Sequence, residues 1–544
     1  MMKSKVRSIV SKANSRLTVK FAAIILASST LLSSLLGFLR DRLLNSYYLD
    51  SYPDGIDAYT VAFTIPDFMF FILVSGALSV TFIPVFNQRM ANRNKKSAWE
   101  LSTSVLNLLA LLTLITSVLI IIFAEPLVKY IVGPGLSESS RSLAISMMRV
   151  IAINPFLFAI ATVLTSIQQA IGRFTFSALA PAIYNIGIII GTVFFTNGIN
   201  IFGVQVFEGG IMGVAIGVAF GSVLQLLIAA IGLIGVDFKY QFRIFWRNKG
   251  FQQVMKLLPT RSMDQGLDYV NSIVETNMAS RMGSGTVRAY SQSLTLQMMP
   301  VNLIGVAIST AFFPNLTERL AIGRKDLFRK DLQAALRMII FLALPVSVLF
   351  FFLRGYIVSF IKNGGDDLIA GLLGVLVLSI FARSIYHIAA RSFYAMEDTK
   401  TPFYISLVAI GLNIVLAIAF SLIFKFGAYG LAWAQAIGAV LEIAILLFLM
   451  RKRIDGLFDA QFVLGVGRMF IASAFSGFVC YLLVARMPLL GSDLRFFSIF
   501  PKFVFIGAVS SAVYVLAAKL LKLKEADPII AQVKKIFFVQ IKIK

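Results

Sequence analysis

Apolar residues run along this chain in blocks long enough to cross a bilayer, separated by short polar breaks. The blocks lie near 21–44, 58–86, 105–123, 150–168, 176–195, 210–236, 257–282, 290–313, 338–353, 368–390, 402–424, 429–450, 469–484 and 500–521. A helix needs about 20 apolar residues to span the hydrocarbon core. The pattern predicts an all-α integral membrane protein of about 14 transmembrane helices.

The block at 257–282 is the least lipid-like. Arg261, Asp264, Asp268, Asn271 and Glu275 recur in it at intervals of three and four, so they share one helical face. Charge facing lipid is costly, and this face is expected to line water or to meet partners on another helix. A structural salt-bridge stripe and an interfacial helix that does not span are the alternatives.

Two segments are versions of one cassette. Residues 77–91 read ALSVTFIPVFNQRMA and residues 307–321 read AISTAFFPNLTERLA. Ala77/Ala307, Ser79/Ser309, Phe82/Phe312, Pro84/Pro314, Arg89/Arg319 and Ala91/Ala321 recur in step. In both, an apolar run ends at a proline and a basic segment follows. The cassettes close the second and eighth blocks, so six spans separate them and the halves keep one orientation. That is a parallel repeat about a pseudo-two-fold axis along the membrane normal, an arrangement common in transporters. Two six-helix lobes are expected, with two extra helices at the C-terminal end.

The chain has 544 residues, is 58% hydrophobic and has a mean hydropathy of +0.85. That excludes a soluble protein. The formal net charge of +24 would suggest nucleic acid in a soluble chain. Here the positive-inside rule accounts for much of it, and no nucleic-acid partner is expected. Lysine and arginine crowd alternate loops: Arg89, Arg93, Lys95 and Lys96; Lys239, Arg243, Arg247 and Lys249; Arg324, Lys325, Arg329 and Lys330; Arg451, Lys452 and Arg453. Both termini are therefore expected in the cytoplasm. The expected organisation is a basic tail over 1–20, an N-lobe over 21–236, a basic linker over 237–256 and a C-lobe over 257–450. Spans thirteen and fourteen follow over 451–521, then a basic tail over 522–544. The first block is read as a retained span, since no cleavage pattern follows it.

One cysteine, Cys480, excludes an intrachain disulfide, and one histidine, His387, excludes a histidine-rich metal site. No phosphate loop, zinc-protease helix or nucleophile elbow is present, so no enzyme activity is expected. Gly364, Gly365, Asp366 and Asp367 form an acidic outer loop that is weak evidence for a metal. Arg149 and Arg383 fall within spans and are functional candidates, with snorkelling or carbonyl pairing as the bland reading. His387, one turn from Arg383, suits packing better than proton carriage. Pro66, Pro155, Pro259, Pro300 and Pro345 are candidate kinks. For Arg40 the residues alone favour an interfacial anchor if the helix starts near Lys20; a helix that starts later and runs through Tyr47 and Tyr48 would place it inside. Serine or threonine at 28, 29, 30, 33 and 34 suits this helix to close packing or a polar lumen.

Several motifs carry a resemblance: GFLRD at 37–41, DAYTVAFTIPD at 57–67, GALS at 76–79, FIPVF at 82–86, PVNLIGVA at 300–307, AFFPNL at 311–316, RSFYA at 391–395 and DTKTP at 398–402. In this order they resemble the MurJ/MviN family, lipid II flippases of the MOP (multidrug, oligosaccharidyl-lipid, polysaccharide) exporter superfamily. The resemblance implies a fourteen-helix, two-lobed flippase of the bacterial cytoplasmic membrane with a central cationic cavity. Its substrate would be lipid II, an undecaprenyl-pyrophosphate-linked disaccharide-pentapeptide, carried outward by alternating access for peptidoglycan assembly. Arg40 then corresponds to a cavity arginine, Asp41 and Asp57 to acidic family positions, and Arg391 to a recurrent arginine of span ten. Arg261, Arg281 and Arg288 are further sources of positive charge, and Arg40, Asp41, Asp57, Arg261, Arg288 and Arg391 are the headgroup candidates. Asp264, Asp268, Glu275 and Asn413 are candidates for a monovalent cation. No cofactor is expected; the membrane potential or that cation would supply energy. Membrane lipids and cell-wall synthesis proteins are the other expected partners. The chain departs from the family at Ser34, Phe70, Phe71 and Thr295, where better-known members carry arginine, and at Ser75, where they carry glutamate. A different MOP-type exporter and a non-transporting scaffold are the rival readings.

Overall fold

Side-chain oxygens start many of the helices. Asn94 accepts from the Ser97 N–H, Ser137 from Ser140, Asn248 from Gly250 and Phe251, Asp366 from Ile369 and Asp459 from Phe462. Each oxygen satisfies backbone donors that a helix's first turn leaves open. The computed structural model describes residues 19–75, 81–201, 204–236, 238, 240–490, 493, 496–528 and 530–531; within its helices and strands the side chains of 19, 20, 22, 23, 75, 199–201, 204, 206, 257–265, 267 and 268 are outside that description. Residues 1–18, 529 and 532–544 of the expected terminal tails lie outside the described residues, as do Ala77 and Ser79 of the first cassette.

The helices run α1 (Val19–Tyr48), α2 (Pro53–Phe70), α3 (Ile83–Ala91), α4 (Lys95–Pro126), α5 (Glu138–Ile151), α6 (Asn154–Ala170), α7 (Thr175–Val193), α8 (Met212–Ile231) and α9 (Lys249–Ser280). Then come α10 (Thr286–Pro300), α11 (Ala307–Ala321), α12 (Lys325–Ile361), α13 (Asp367–Ala395), α14 (Lys400–Ile418), α15 (Ala428–Arg453), α16 (Ala460–Arg486) and α17 (Phe496–Leu520). Thirteen spans among the described residues are long and apolar enough to cross a membrane, some of them built from two consecutive helices. α9 is the fourteenth helix of spanning length, at 32 residues, and its polarity alone sets it apart. A two-stranded antiparallel hairpin, β1 (Ile199–Ile201) and β2 (Val204–Phe207), joins α7 to α8.

The two cassettes fold alike. A π-helical stretch, Phe71–Ser75 or Val301–Val306, precedes each. α3 and α11 end at Ala91 and Ala321, the last residues of the repeat. At the first corner Asn92, Arg93 and Asn94 donate to the carbonyls of Gln88, Met90 and Arg89; at the second, Ile322, Gly323 and Arg324 donate to Glu318, Leu320 and Arg319. The register is the same bond for bond. Arg93 and Gly323 both sit at positive φ, 57° and 74°. Each corner then opens a long helix at a lysine, Lys95 or Lys325.

The chain falls into two compact units, residues 1–288 and 289–544. The dividing point is not the basic linker expected over 237–256. α9 begins inside that linker, at Lys249, and packs with the first unit. The Phe71 and Tyr269 rings stack at 4.4 Å, Asn277 donates to the Ile131 carbonyl at 2.6 Å, and the Gly135 N–H donates to Ser280 at 3.3 Å. These contacts satisfy a span too polar for lipid, which places it with the helices before it.

In the first unit α7 and α8 meet backbone to backbone. A Cβ at Gly191 would sit 2.5 Å from the Gly217 Cα, and one at Gly187 would sit 2.2 Å from the Gly221 Cα. Glycines four apart on both helices make this approach possible. In the second unit α13 packs on α12 and α15, and α12 carries α16 on another side.

Candidate functional site

α1 runs unbroken for 30 residues, about 45 Å at 1.5 Å per residue. It both starts near Lys20 and continues through Tyr48, so Arg40 lies about 12 Å from the C-terminal end. Its side chain is 27% exposed. The Arg40 Nε and Nη2 donate to Asp41 Oδ1 at 3.2 and 3.1 Å, and Nη1 donates to Asn185 Oδ1 on α7 at 3.1 Å. A free interfacial anchor would hold no such partners.

Arg288, in the first turn of α10, completes the cluster. Its Nη2 donates to Asp41 Oδ1 at 3.2 Å and its Nε to Asn45 Oδ1 at 2.9 Å. Asn45 stands one turn after Asp41 and is fully buried. Asp57 does different work. Its carboxylate accepts from the Gly285 N–H at 2.7 Å and the Arg288 N–H at 2.8 Å, so it caps α10 from α2. Asp54 accepts from Ser284 beside it at 2.6 Å. Four of the expected site residues, Arg40, Asp41, Asp57 and Arg288, thus form one buried group.

Asn45 and Asn185 were not among the expected site residues, although an asparagine in an apolar span is itself a signal. Asp67 is another addition. Its carboxyl has no hydrogen bond among the described residues, and Arg40, Tyr59 and Tyr184 stand within electrostatic reach of it. The group therefore holds two arginines against three carboxyl groups. It is not a cationic basin.

The side chains of Arg261, Asp264 and Asp268 fall outside the described residues. Asn271 donates to Glu275 at 3.0 Å within the buried face of α9. In the second unit Asn413 donates to Gln435 at 2.9 Å, and Tyr386, Ser406 and Glu442 form a chain of 3.1 and 2.7 Å. Arg391 stands on α13 in one column with Arg383 and His387. Arg149 is exposed at the end of α5. Asp366 caps α13 and pairs with Lys362 at 3.0 Å, and no group of metal-ligating side chains occurs among the described residues.

The DTKTP motif is a clasp. Asp398 accepts from the Lys400 and Thr401 N–H groups at 3.1 and 2.9 Å, starting α14. Arg453, at the end of α15, reaches the same carboxylate at 2.5 Å and lies over the Phe393 ring. Partial burial pushes the Asp398 carboxyl up, but the Thr401 hydroxyl and N–H and the Arg453 charge outweigh it and hold it down at about 2.

The family model of the lipid II flippase MurJ matches residues 54–500. The chain belongs to the lipid II flippase MurJ family. A probable lipid II flippase MurJ of Thermotoga maritima is 26% identical over 512 residues, 92% of this chain and 96% of that protein. A solved lipid II flippase MurJ in an inward closed conformation aligns with a TM-score of 0.70 at 24% identity, covering 90% of this chain and 98% of that one. An inward-facing multidrug resistance MATE transporter of the MOP superfamily aligns at 0.66 and 16% identity, over 80% and 99%. The last two likenesses concern the fold. The family resemblance led arginine to be expected at several positions where other side chains stand. Phe70 and Phe71 instead join an aromatic set, with Phe70 on Phe158 at 5.5 Å and Phe71 stacked on Tyr269. Thr295 turns its hydroxyl back to the Ser291 carbonyl at 3.0 Å, and Ser34 is exposed.

Proposed function

We propose that the protein is a lipid II flippase that carries the pyrophosphate-linked headgroup from the inner to the outer leaflet by alternating access. The family match across residues 54–500 carries this reading. The physical task explains why charge is needed within the spans. A pyrophosphate and peptide carboxylates cannot enter hydrocarbon uncompensated, because the desolvation of ions there is prohibitive. A wet path with guanidinium groups offers paired donors that stay ionised. Arg40 is the partly exposed member of the α1 cluster and is the side chain that would exchange its partners for phosphate oxygens. Arg288 and Asp57 would hold α10 against α1 and α2 while it does so.

Energy would come from the membrane potential, about 2.3 kcal/mol per charge per 100 mV, or from a monovalent cation at the α9 carboxylates. No cofactor is required. Both termini are placed in the cytoplasm by the distribution of lysine and arginine. Surrounding lipids and the cell-wall enzymes that consume lipid II are the remaining partners.

The test is purified protein in vesicles with labelled lipid II on the inner side. Translocation is expected for the unaltered protein and lost for Arg40→Ala. Vesicles that move a multidrug substrate but no lipid II would reassign the protein to another MOP exporter. Vesicles that move neither would make it a scaffold.

A further inference from the structure

Three basic side chains stand on one flank of α13, and among the described residues no acid pairs with them. Arg383, His387 and Arg391 recur at intervals of four, so they stack along one face over about 12 Å. Neighbouring residues locate the flank. Ser384 backs onto Gly305 of the π-helical stretch, and the Tyr386 hydroxyl meets Ser406 of α14. All three side chains are half-buried. The Arg383 Nε is buried and has no hydrogen-bond partner. Among the described residues neither Arg383 nor Arg391 has an ion pair, and the charges that reach His387 are these two arginines.

Other arginines at comparable depth are treated differently. Arg40 and Arg288 share Asp41, Arg319 pairs with Asp331, Arg337 with Glu525, and Arg453 with Asp398. Arg141 and Arg173 donate to backbone carbonyls. An ionisable group left unpaired within a span is costly, and stacking like charges adds to that cost. Such an arrangement is retained only if an anion fills it during the working cycle.

We propose that the Arg383–His387–Arg391 column is a further binding site for the pyrophosphate of a polyprenyl-linked substrate, in addition to Arg40. The proposal rests on the flippase reading for the identity of the lipid. Successive rungs rise about 6 Å, so a pyrophosphate bridges two of them and steps from one pair to the next along α13. The planar guanidinium forks grip phosphate oxygens in pairs, and the imidazole N–H between them adds one donor.

The experiment measures lipid binding to the full chain in nanodiscs, with polyprenyl pyrophosphate and the uncharged polyprenol as probes. The variants are Arg383→Gln, Arg391→Gln, their double and Arg383→Lys. The unaltered protein is expected to prefer polyprenyl pyrophosphate. Each glutamine variant is expected to weaken that binding about tenfold or more, with polyprenol binding unchanged. Arg383→Lys keeps the charge without the fork and is expected to bind between Arg383→Gln and the unaltered protein, which separates charge from fold. Equal affinity for the two probes in the unaltered protein, or a double variant that binds pyrophosphate normally, overturns the proposal. Selective binding by the column together with failure to move lipid II in vesicles upholds it and removes the substrate reading instead.

Discussion

Arg288 donates to Asp41 Oδ1 at 3.2 Å, the same oxygen that accepts from Arg40. One carboxylate thus serves two guanidinium groups on different helices. Asp41→Asn keeps the shape and removes the charge. Breaking a buried pair from one side costs about 3–5 kcal/mol because the surviving charge is stranded. Thermal unfolding in detergent should show Asp41→Asn well below the unaltered protein. An unchanged midpoint would mean that the cluster is wet enough to need no counter-charge.

Asp57 holds α10 through two backbone N–H groups. Asp57→Asn replaces one accepting oxygen with a donor that confronts an N–H. A lost cap costs about 1–2 kcal/mol, more when a donor is left buried. Stability should fall by that order, and backbone hydrogen exchange should rise at 285–288 first. Loss of flipping without either change would instead give Asp57 a direct role with the substrate.

The glycine contact between α7 and α8 allows no added atoms. Gly191→Val should destabilise the protein by about 1–3 kcal/mol through overpacking. Gly411 is the control. A Cβ there meets nothing within 4 Å, so Gly411→Ala should be neutral or slightly stabilising. Equal unfolding midpoints for Gly191→Val and the unaltered protein would contradict the close approach.

The Asp398 clasp has a pH signature. Its folded carboxyl is held at about 2, below the usual carboxylate range near 4, so the stabilisation is present above that range and fades as pH falls toward 2. Asp398→Asn should lower the unfolding midpoint at pH 7, by about 1 kcal/mol for the cap and the exposed pair together. The gap to the unaltered protein should narrow steadily below pH 4. A gap independent of pH would show that the carboxylate charge contributes nothing.

Membrane class, span number and the position of the cassettes were all legible in the pattern of apolar blocks. Block length reports directly on the bilayer, and long helices have few alternatives in lipid. The cassette match was brief in letters, yet its corner hydrogen bonds repeat bond for bond, because a turn conserves backbone geometry while its side chains change. The pairing of Arg40 was less legible. Its helix starts early and ends late, a length that no local signal specifies, and its partner Asn185 lies 145 residues away. Arg288 could be suspected as a source of charge, but its bond to Asp41 depends on how α10 begins, which Asp57 decides from another helix. The placement of α9 was missed for a similar reason. A basic stretch looks like a linker in sequence, while the Asn248 cap and the stacking of Tyr269 on Phe71 are tertiary facts.

Helices whose backbones touch have no cushion of side chains to slide upon. α7 and α8 must therefore travel as a single beam, and any working stroke in their unit has to be absorbed where regular helix already gives way: the interruption at Ala152 and Ile153 between α5 and α6, and the loosened coil at Phe71–Ser75. Stiff members and soft joints are thus already apportioned in the resting molecule: glycines fix where it cannot bend, and interrupted helix marks where it can.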